Sequence, residues 1–446
     1  MKICDQKSTL FSLVAKTITS DSIAKKIITI DPVAGVIVSV YTEGDNDFHR
    51  VYQEAKKTRA LTEYPDHIWL FAAFGDVHIH AREDVSGLHL YKEDFQSVAK
   101  ASYNGGLLFA CDMPNNPVAP IDDETYLAKY RLTMRVPFAL LPYGGIGPKT
   151  SPLSFLVPYK AYMGHSVGDL FFSDSPSLDQ ALARYKNQYV SFHCEDPDIL
   201  ERHKNAATHF ERRPIQAEFE ATKFALSLIE KYQLKGKLCH YSSGDGLKEI
   251  LAAKKRGVDV ETEVTPQHLY FSEEEILNLE DQTRITQFQM NPPIRSRYNR
   301  DLLLEALKRG EIDYLATDHA PHSIEEKKKG MSGLTGLDTF ASFTTWLMLE
   351  KNVDPKIIAK VAAENPGDFY NRFHRAWLKD SPYQKVKGLG LGKIQKGYSA
   401  SFTLLDMTKP QAVSKDFLKT KAMDNPFVDH TFPGSVHGIY FNGQNL

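Results

Sequence analysis

The sequence predicts a (β/α)8 TIM-type barrel carrying a small β-sandwich domain formed from both chain ends, and three observations lead there. A length of 446 residues suits one large barrel with an appendage. Between about residues 70 and 370, helical patterns alternate with short apolar runs, as βαβ units around a parallel sheet require. The two ends lack this alternation and read as strands joined directly to strands. The expected division is residues 1–67 and 386–446 for the β domain and 68–385 for the barrel.

Taken in order, Lys26 to Thr42 reads as two strands joined by a Pro/Gly turn, with no helix between them. Lys92 to Tyr103 places Phe95, Val98, Ala99 and Ser102 on one helical face and ends at Gly105-Gly106. Leu107 to Met113 follows as a buried strand. The same grammar recurs when Leu247 to Arg256 stops at Gly257 before a strand over Val258 to Val264. It recurs again when Arg300 to Arg309 stops at Gly310 before a strand over Asp313 to Thr317. Near the C-terminus, Gly397 to Leu405 and Val436 to Asn442 read as strands, with Gly443 closing a turn. The run Gly388, Gly390, Gly392 opens no helix, so it reads as a flexible re-entry into the β domain and not as a phosphate loop.

Composition narrows the function. Apolar residues make up 42% and charged residues 25%, the balance of a soluble globular chain. Lys plus Arg (54) nearly cancels Asp plus Glu (56), which argues against a nucleic-acid partner. No run of 18 apolar residues occurs, so no membrane span is expected. The N-terminus has only a short apolar patch, Leu10 to Ala15, without a cleavage pattern, and a cytoplasmic location is expected. Cys4, Cys111, Cys194 and Cys239 are spaced too irregularly for a disulfide framework.

The strongest local signal is His78-Ile79-His80 within FAAFGDVHIHARED. Residues two apart on a strand share a face, so both imidazoles would converge on one point, as a Zn-type ion requires. Alone, His193 or His240 would be read as a core or surface residue. Each, however, follows a short apolar run, as does Asp318 in ATDHAPH. In a βα barrel such strand ends face a common site whatever their separation in sequence. Together these residues point to a metal centre. Two divalent ions side by side need a bridging anion, and Lys160 in VPYKAYMG is the candidate, because a lysine that has reacted with carbon dioxide becomes an anionic carbamate. With Asp318 and a bridging hydroxide, that still leaves the centre cationic and suited to polarising a carbonyl. Arg82 lies two residues past His80 and offers a planar fork for a carboxylate. Glu195 and Asp196 are assigned supporting roles. So are Cys194 and Cys239, which strand alternation points away from the ligands.

The ordered runs GDVHIHAR, FACDMPNNPVAP, YKAYMG, FHCED, CHYSS, ETEVTPQHLYF, QMNPPIRS and ATDHAPHSIEEK resemble the dihydroorotases of the amidohydrolase superfamily, particularly the longer bacterial type. The resemblance spans about Phe71 to Asp338, with a looser match in GKIQKGYSASFTLLD. It implies a barrel with two divalent ions, of the Zn kind. His78, His80 and Asp318 would hold one, His193 and His240 the other, and a carbamate on Lys160 would bridge them. Arg82, Asn115 and His322 would grip a substrate carboxylate, and Asn291 would contact the pyrimidine ring. In the reaction so implied, a hydroxide bridging the ions attacks the ring amide of L-dihydroorotate, and Asp318 carries the proton to the leaving nitrogen. The reverse reaction closes N-carbamoyl-L-aspartate, as pyrimidine biosynthesis needs.

The match is imperfect. Ala72-Ala73-Phe74-Gly75 replaces the usual proline-glycine, Asp84 stands where a proline commonly follows Arg-Glu, and the segment to about residue 67 matches poorly. Two other functions stay open: another cyclic-amide hydrolase (hydantoinase, dihydropyrimidinase or allantoinase type) and a non-catalytic scaffold relative. The first needs no carboxylate clamp, and the second would be expected to lose metal ligands. The native metal, a homodimeric state and association with a transcarbamoylase are not legible.

Overall fold

The computed structural model describes residues 10–164, 170–378 and 385–446. Cys4 lies outside the described residues. The N-terminal segment supplies β1 (Phe11–Ile18), β2 (Ile23–Asp31), β3 (Val36–Thr42), β4 (Leu61–Glu63) and β5 (Ile68–Ala72). The expected hairpin over Lys26 to Thr42 is β2–β3, paired antiparallel with a bulge at Thr29/Ile30.

The barrel follows. Its strands are β6 (Phe74–Ile79), β7 (Leu107–Asp112), β8 (Ala139–Pro142), β9 (Gly144–Gly145), β10 (Tyr159–Met163), β11 (Tyr189–Cys194), β12 (Lys235–Leu238), β13 (Val260–Val264) and β14 (Tyr314–Leu315). All neighbours in the series β6-β7-β8 and β9-β10-β11-β12-β13-β14 run parallel. Only Tyr143 separates β8 from β9, so these two form one pass that changes partner. The ring closes where Ile79 bridges His319 and the His80 amide donates to the His319 carbonyl at 2.7 Å.

The C-terminal segment supplies β15 (Phe402–Asp406), β16 (Gln411–Ala412), β17 (Thr431–Phe432), β18 (Ser435–Phe441) and β19 (Gln444–Asn445). Strands from both chain ends share one sheet in the order β19-β18-β15-β5-β1-β2-β3, with β4 beside β1. The sheet curls on itself: the Ile37 amide on β3 donates to the Tyr398 carbonyl, ahead of β15. Leu13, Ile28, Ile37, Leu70, Phe402 and Tyr440 thereby share one core. The helix Asn46–Lys57 covers Val14 and Ile27 on the opposite face with Phe48. Gly388, Gly390 and Gly392 all take positive φ in the turns that lead back to this sheet, and no helix follows them.

Boundaries differ from expectation where polar side chains intervene. The barrel was expected from residue 68, but Ile68–Ala72 pairs with β1 and β15, and the first barrel strand begins at Phe74. The run from Ile68 to Ile79 is nearly all apolar, so no turn signal marks the change of sheet. The helix expected from Lys92 starts at Phe95, because the Asp94 side chain accepts the Ser97 amide at 2.7 Å in a capping box. The strand expected over Asp313 to Thr317 shrinks to Tyr314–Leu315. The Thr317 amide turns to Asp76 Oδ2 at 3.1 Å, and Asp318 has φ of 48°.

Candidate metal-dependent active site

Nine of the ten singled-out residues line one cleft of about 450 Å³ at the C-terminal ends of the barrel strands: His78, His80, Arg82, Asn115, Lys160, His193, His240, Asn291 and Asp318. His78 is the penultimate residue of β6, and His80 stands one residue beyond the strand. Both point their Nε2 atoms at Asp318 Oδ1, at 3.2 and 3.1 Å. His193, near the end of β11, places Nδ1 3.0 Å from Nε2 of His240, which follows β12. The His78 and His240 rings are 5.2 Å apart, so the two pairs form a continuous cluster.

Three of the four imidazoles are also held by a polar group outside this contact. His78 Nδ1 meets Glu263 Oε1 at 2.5 Å, His80 Nδ1 meets Asn115 Oδ1 at 2.7 Å, and His193 Nε2 meets Glu195 Oε2 at 2.9 Å. Such partners fix ring orientation and tautomer. Glu195 is braced in turn by Arg213, whose Nε donates to it at 3.0 and 3.1 Å. Glu263 also accepts the His240 amide at 2.9 Å and ion-pairs with buried Lys237. Burial tends to neutralise both carboxyls, yet Arg213 and Lys237 outweigh it and hold Glu195 and Glu263 below the usual range. Asp196 caps the helix Pro197–His203 through the Ile199 amide and takes no part in the cluster.

Burial, reinforced by Lys160 and the neighbouring cations, pushes His78, His80 and His240 well below the usual histidine value. The rings are therefore neutral, the form that ligates a metal. Burial lifts Asp318 to about 7. Two buried nitrogens in the cluster, Lys160 Nζ and His240 Nδ1, have no hydrogen-bond partner. Orphaned donors in a fully enclosed position are costly unless a further group engages them. The donor atoms of His78, His80 and Asp318 lie within 4.8 Å of one another and are buried, so the residues present fit a metal centre.

Arg82 is 4% exposed, with a left-handed φ of 63°. Its Nε donates to the Pro321 carbonyl at 3.3 Å, and its Nη2 lies 3.3 Å from His322 Nε2. Both partners are neutral, and among the described residues no carboxylate pairs with it. His322 is the one expected site residue that does not line the cleft, though it touches Arg82, which does. Asp84, a departure from the resemblance pattern, accepts the Ser86 amide at 2.7 Å and the Val118 amide at 2.9 Å. It thereby ties the loop carrying Arg82 to the loop carrying Asn115. Asn291 Oδ1 is buried and has no partner.

One expectation is corrected. Strand alternation was to point Cys239 away from the site, but its sulfur lies within 4.8 Å of donor atoms of His78 and Glu263. β12 ends at Leu238 and His240 has φ of 37°, so alternation does not extend through Cys239. Cys111, Cys194 and Cys239 are free and buried. The sequence reading also missed Glu263, which holds His78, and Tyr162, which lines the cleft. Two acids at alternate positions of the predicted strand VETEV, beside Lys237 on the adjacent strand, were the available signal for Glu263.

No family model matches the chain. A dihydroorotase of Staphylococcus epidermidis is 30% identical over 395 residues, covering 83% of this chain and 86% of the relative. The chain belongs to the dihydroorotase family. A dihydroorotase of Shouchella clausii agrees at 29% over 393 residues, covering 84% of this chain and 86% of that one. In fold, this family member superposes on the L-hydantoinase (dihydropyrimidinase) from Arthrobacter aurescens with a TM-score of 0.81 at 20% identity, over 98% of this chain and 96% of that one. A dihydropyrimidinase from Brevibacillus agri gives 0.79 at 17%, over 98% and 95%. The barrel with its β-rich companion is the shared architecture, and the dihydroorotase-family chain is a metal-dependent cyclic amidohydrolase.

Proposed function

We propose that the protein is a dihydroorotase, opening the cyclic amide of L-dihydroorotate to N-carbamoyl-L-aspartate and closing it again. The single observation that carries this over a neutral ring substrate is Arg82. It is a buried guanidinium on the cleft wall whose assigned partners are both neutral. A buried cation of this kind calls for an anion, and the ring carboxylate of dihydroorotate supplies one in bidentate geometry.

The other residues fall into place around that anchor. His78, His80 and Asp318 would hold one divalent ion and His193 and His240 a second, with Lys160 as a carbamate between them. The orphaned Nζ of Lys160 supports this, since the neutral amine would add carbon dioxide there, forming the N–C bond and releasing one proton to solvent. The donor types suit Zn. Bound ions would supply Lewis acidity and a nucleophilic water at neutral pH. Asn115 accepts from His80 through Oδ1, which leaves its amide NH2 to donate to the substrate carboxylate. His322 would steady the Arg82 fork, and the Asn291 side-chain carbonyl would accept a ring N–H. Asp318 engages both imidazoles through Oδ1. Its Oδ2 would take a proton on the attack side and return it to the leaving nitrogen.

The substrate is a small molecule. Among the described residues no helix is long and apolar enough to cross a membrane. The test is turnover of L-dihydroorotate against hydantoin and dihydrouracil, with metal content measured on the same sample. Efficient dihydroorotate hydrolysis, lost on chelation, is expected. Metal-dependent turnover of the neutral rings alone would transfer the chain to the hydantoinase type, and metal-free, inert protein would make it a scaffold.

A further inference from the structure

A second depression adjoins the active cleft and shares Gly330 and Ser332 with it. The two are also joined through the segment Gln289–Asn291, since Gln289 lines the depression and Asn291 the cleft. The charge of its walls is lopsided. Lys204, Arg212, Arg213, Lys328 and Lys329 face Glu201 as the one acid among its lining residues. His209 adds no charge, because burial holds it down at about 4. Lys204 is engaged by Glu201 and Arg213 by Glu195. Arg212, Lys328 and Lys329 have no ion-pair partner among the described residues.

Net charge does not explain this concentration, since the whole chain carries −2. Lys328 and Lys329 follow Lys327, and that side chain is buried and donates to the Gln289 and Gly333 carbonyls at 3.0 and 2.8 Å. The basic pair is thus mounted on the same segment that walls the active cleft. Unpaired cations at the mouth of a cleft attract anions and raise their local concentration. The sulfur and aromatic groups that would favour an apolar occupant are missing from this lining.

We infer that this depression is an anion-collecting vestibule, through which the carboxylate substrate and the dianionic open-chain product enter and leave the site. The inference rests on the dihydroorotase reading and adds to it a set of residues that act on capture and not on chemistry. Arg212, Lys328 and Lys329 do not line the cleft that holds the cluster, so their loss should leave the turnover step in place.

The experiment compares the holoenzyme with R212Q/K328Q/K329Q, measuring kcat/KM for L-dihydroorotate across ionic strength. At low salt the variant is expected to lose roughly tenfold in kcat/KM with kcat held, within the range that steering commonly supplies. The unaltered enzyme should fall toward the variant as salt approaches about 1 M, where the Debye length is roughly 3 Å. The fold-loss must be the same in both directions, because the overall equilibrium is untouched. Inhibition by neutral dihydrouracil should not change, which also serves as the check that the variant is folded. Equal kcat/KM for variant and unaltered enzyme at low salt would overturn the inference, as would a loss that salt does not erase. If the unaltered enzyme fails to turn over dihydroorotate at all, the dihydroorotase reading falls and the vestibule with it.

Discussion

Replacing Arg82 by Met removes the positive fork from the cleft while keeping much of the side-chain volume. Arg82 is 4% exposed, and among the described residues its guanidinium hydrogen-bonds only to the Pro321 carbonyl and His322. The lost interaction is therefore almost wholly the one made to substrate. Truncating one partner of a buried, hydrogen-bonded charge pair costs about 2–5 kcal/mol. At roughly 1.4 kcal/mol per tenfold, kcat/KM for L-dihydroorotate should fall by about 30- to 4,000-fold. Arg82→Lys should recover only part of this, because an ammonium cannot make the paired contact. The assay is steady-state hydrolysis, with any residual activity on dihydrouracil measured in parallel. A neutral ring has no carboxylate to lose, so its kcat/KM should change little. If R82M stays within about threefold of the parent enzyme on dihydroorotate, the clamp does not exist. An equal loss on both substrates would mean that Arg82 supports the fold and not the substrate.

Three further outcomes follow from the packing. Glu263→Gln leaves Lys237 buried opposite a neutral amide and loosens His78, so stability should drop by about 3–5 kcal/mol in urea unfolding, with metal content falling as well; unchanged metal content would remove Glu263 from its positioning role. Gly105→Ala places a methyl 1.7 Å from the Leu337 carbonyl oxygen, so the thermal midpoint should fall by an amount matching at least about 1–3 kcal/mol, and an unchanged midpoint would show that this backbone yields freely. Burial lowers Lys327 to about 8. Between there and its ordinary value of 10.5 the unfolded chain binds the proton that the folded chain has released, so stability rises with pH across that window. The parent protein should therefore gain roughly 2 kcal/mol on Lys327→Met between pH 8 and 10, and a flat difference would refute the burial argument.

Much of the site was legible in the chain because metal ligation needs few residue types, and the barrel rule assigns every strand end to one place. His78, His80, His193, His240 and Asp318 could be gathered on that rule without any knowledge of distance. Periodicity likewise gave the helix ending at Gly105, the strand over Leu107 and the terminal hairpin, since these depend on neighbours a few residues apart. What the tertiary structure alone decided depends on partners far away in sequence. Asn115 is bound to His80. Glu263 holds His78 from 185 residues away, and Glu195 rests on Arg213. Cys239 joins the cluster because a strand stops one residue early, and His322 meets Arg82 Nη2 at 3.3 Å without lining the cleft. None of these follows from a local pattern, because buried polar groups choose partners by proximity in the folded chain and are then committed by the cost of having none.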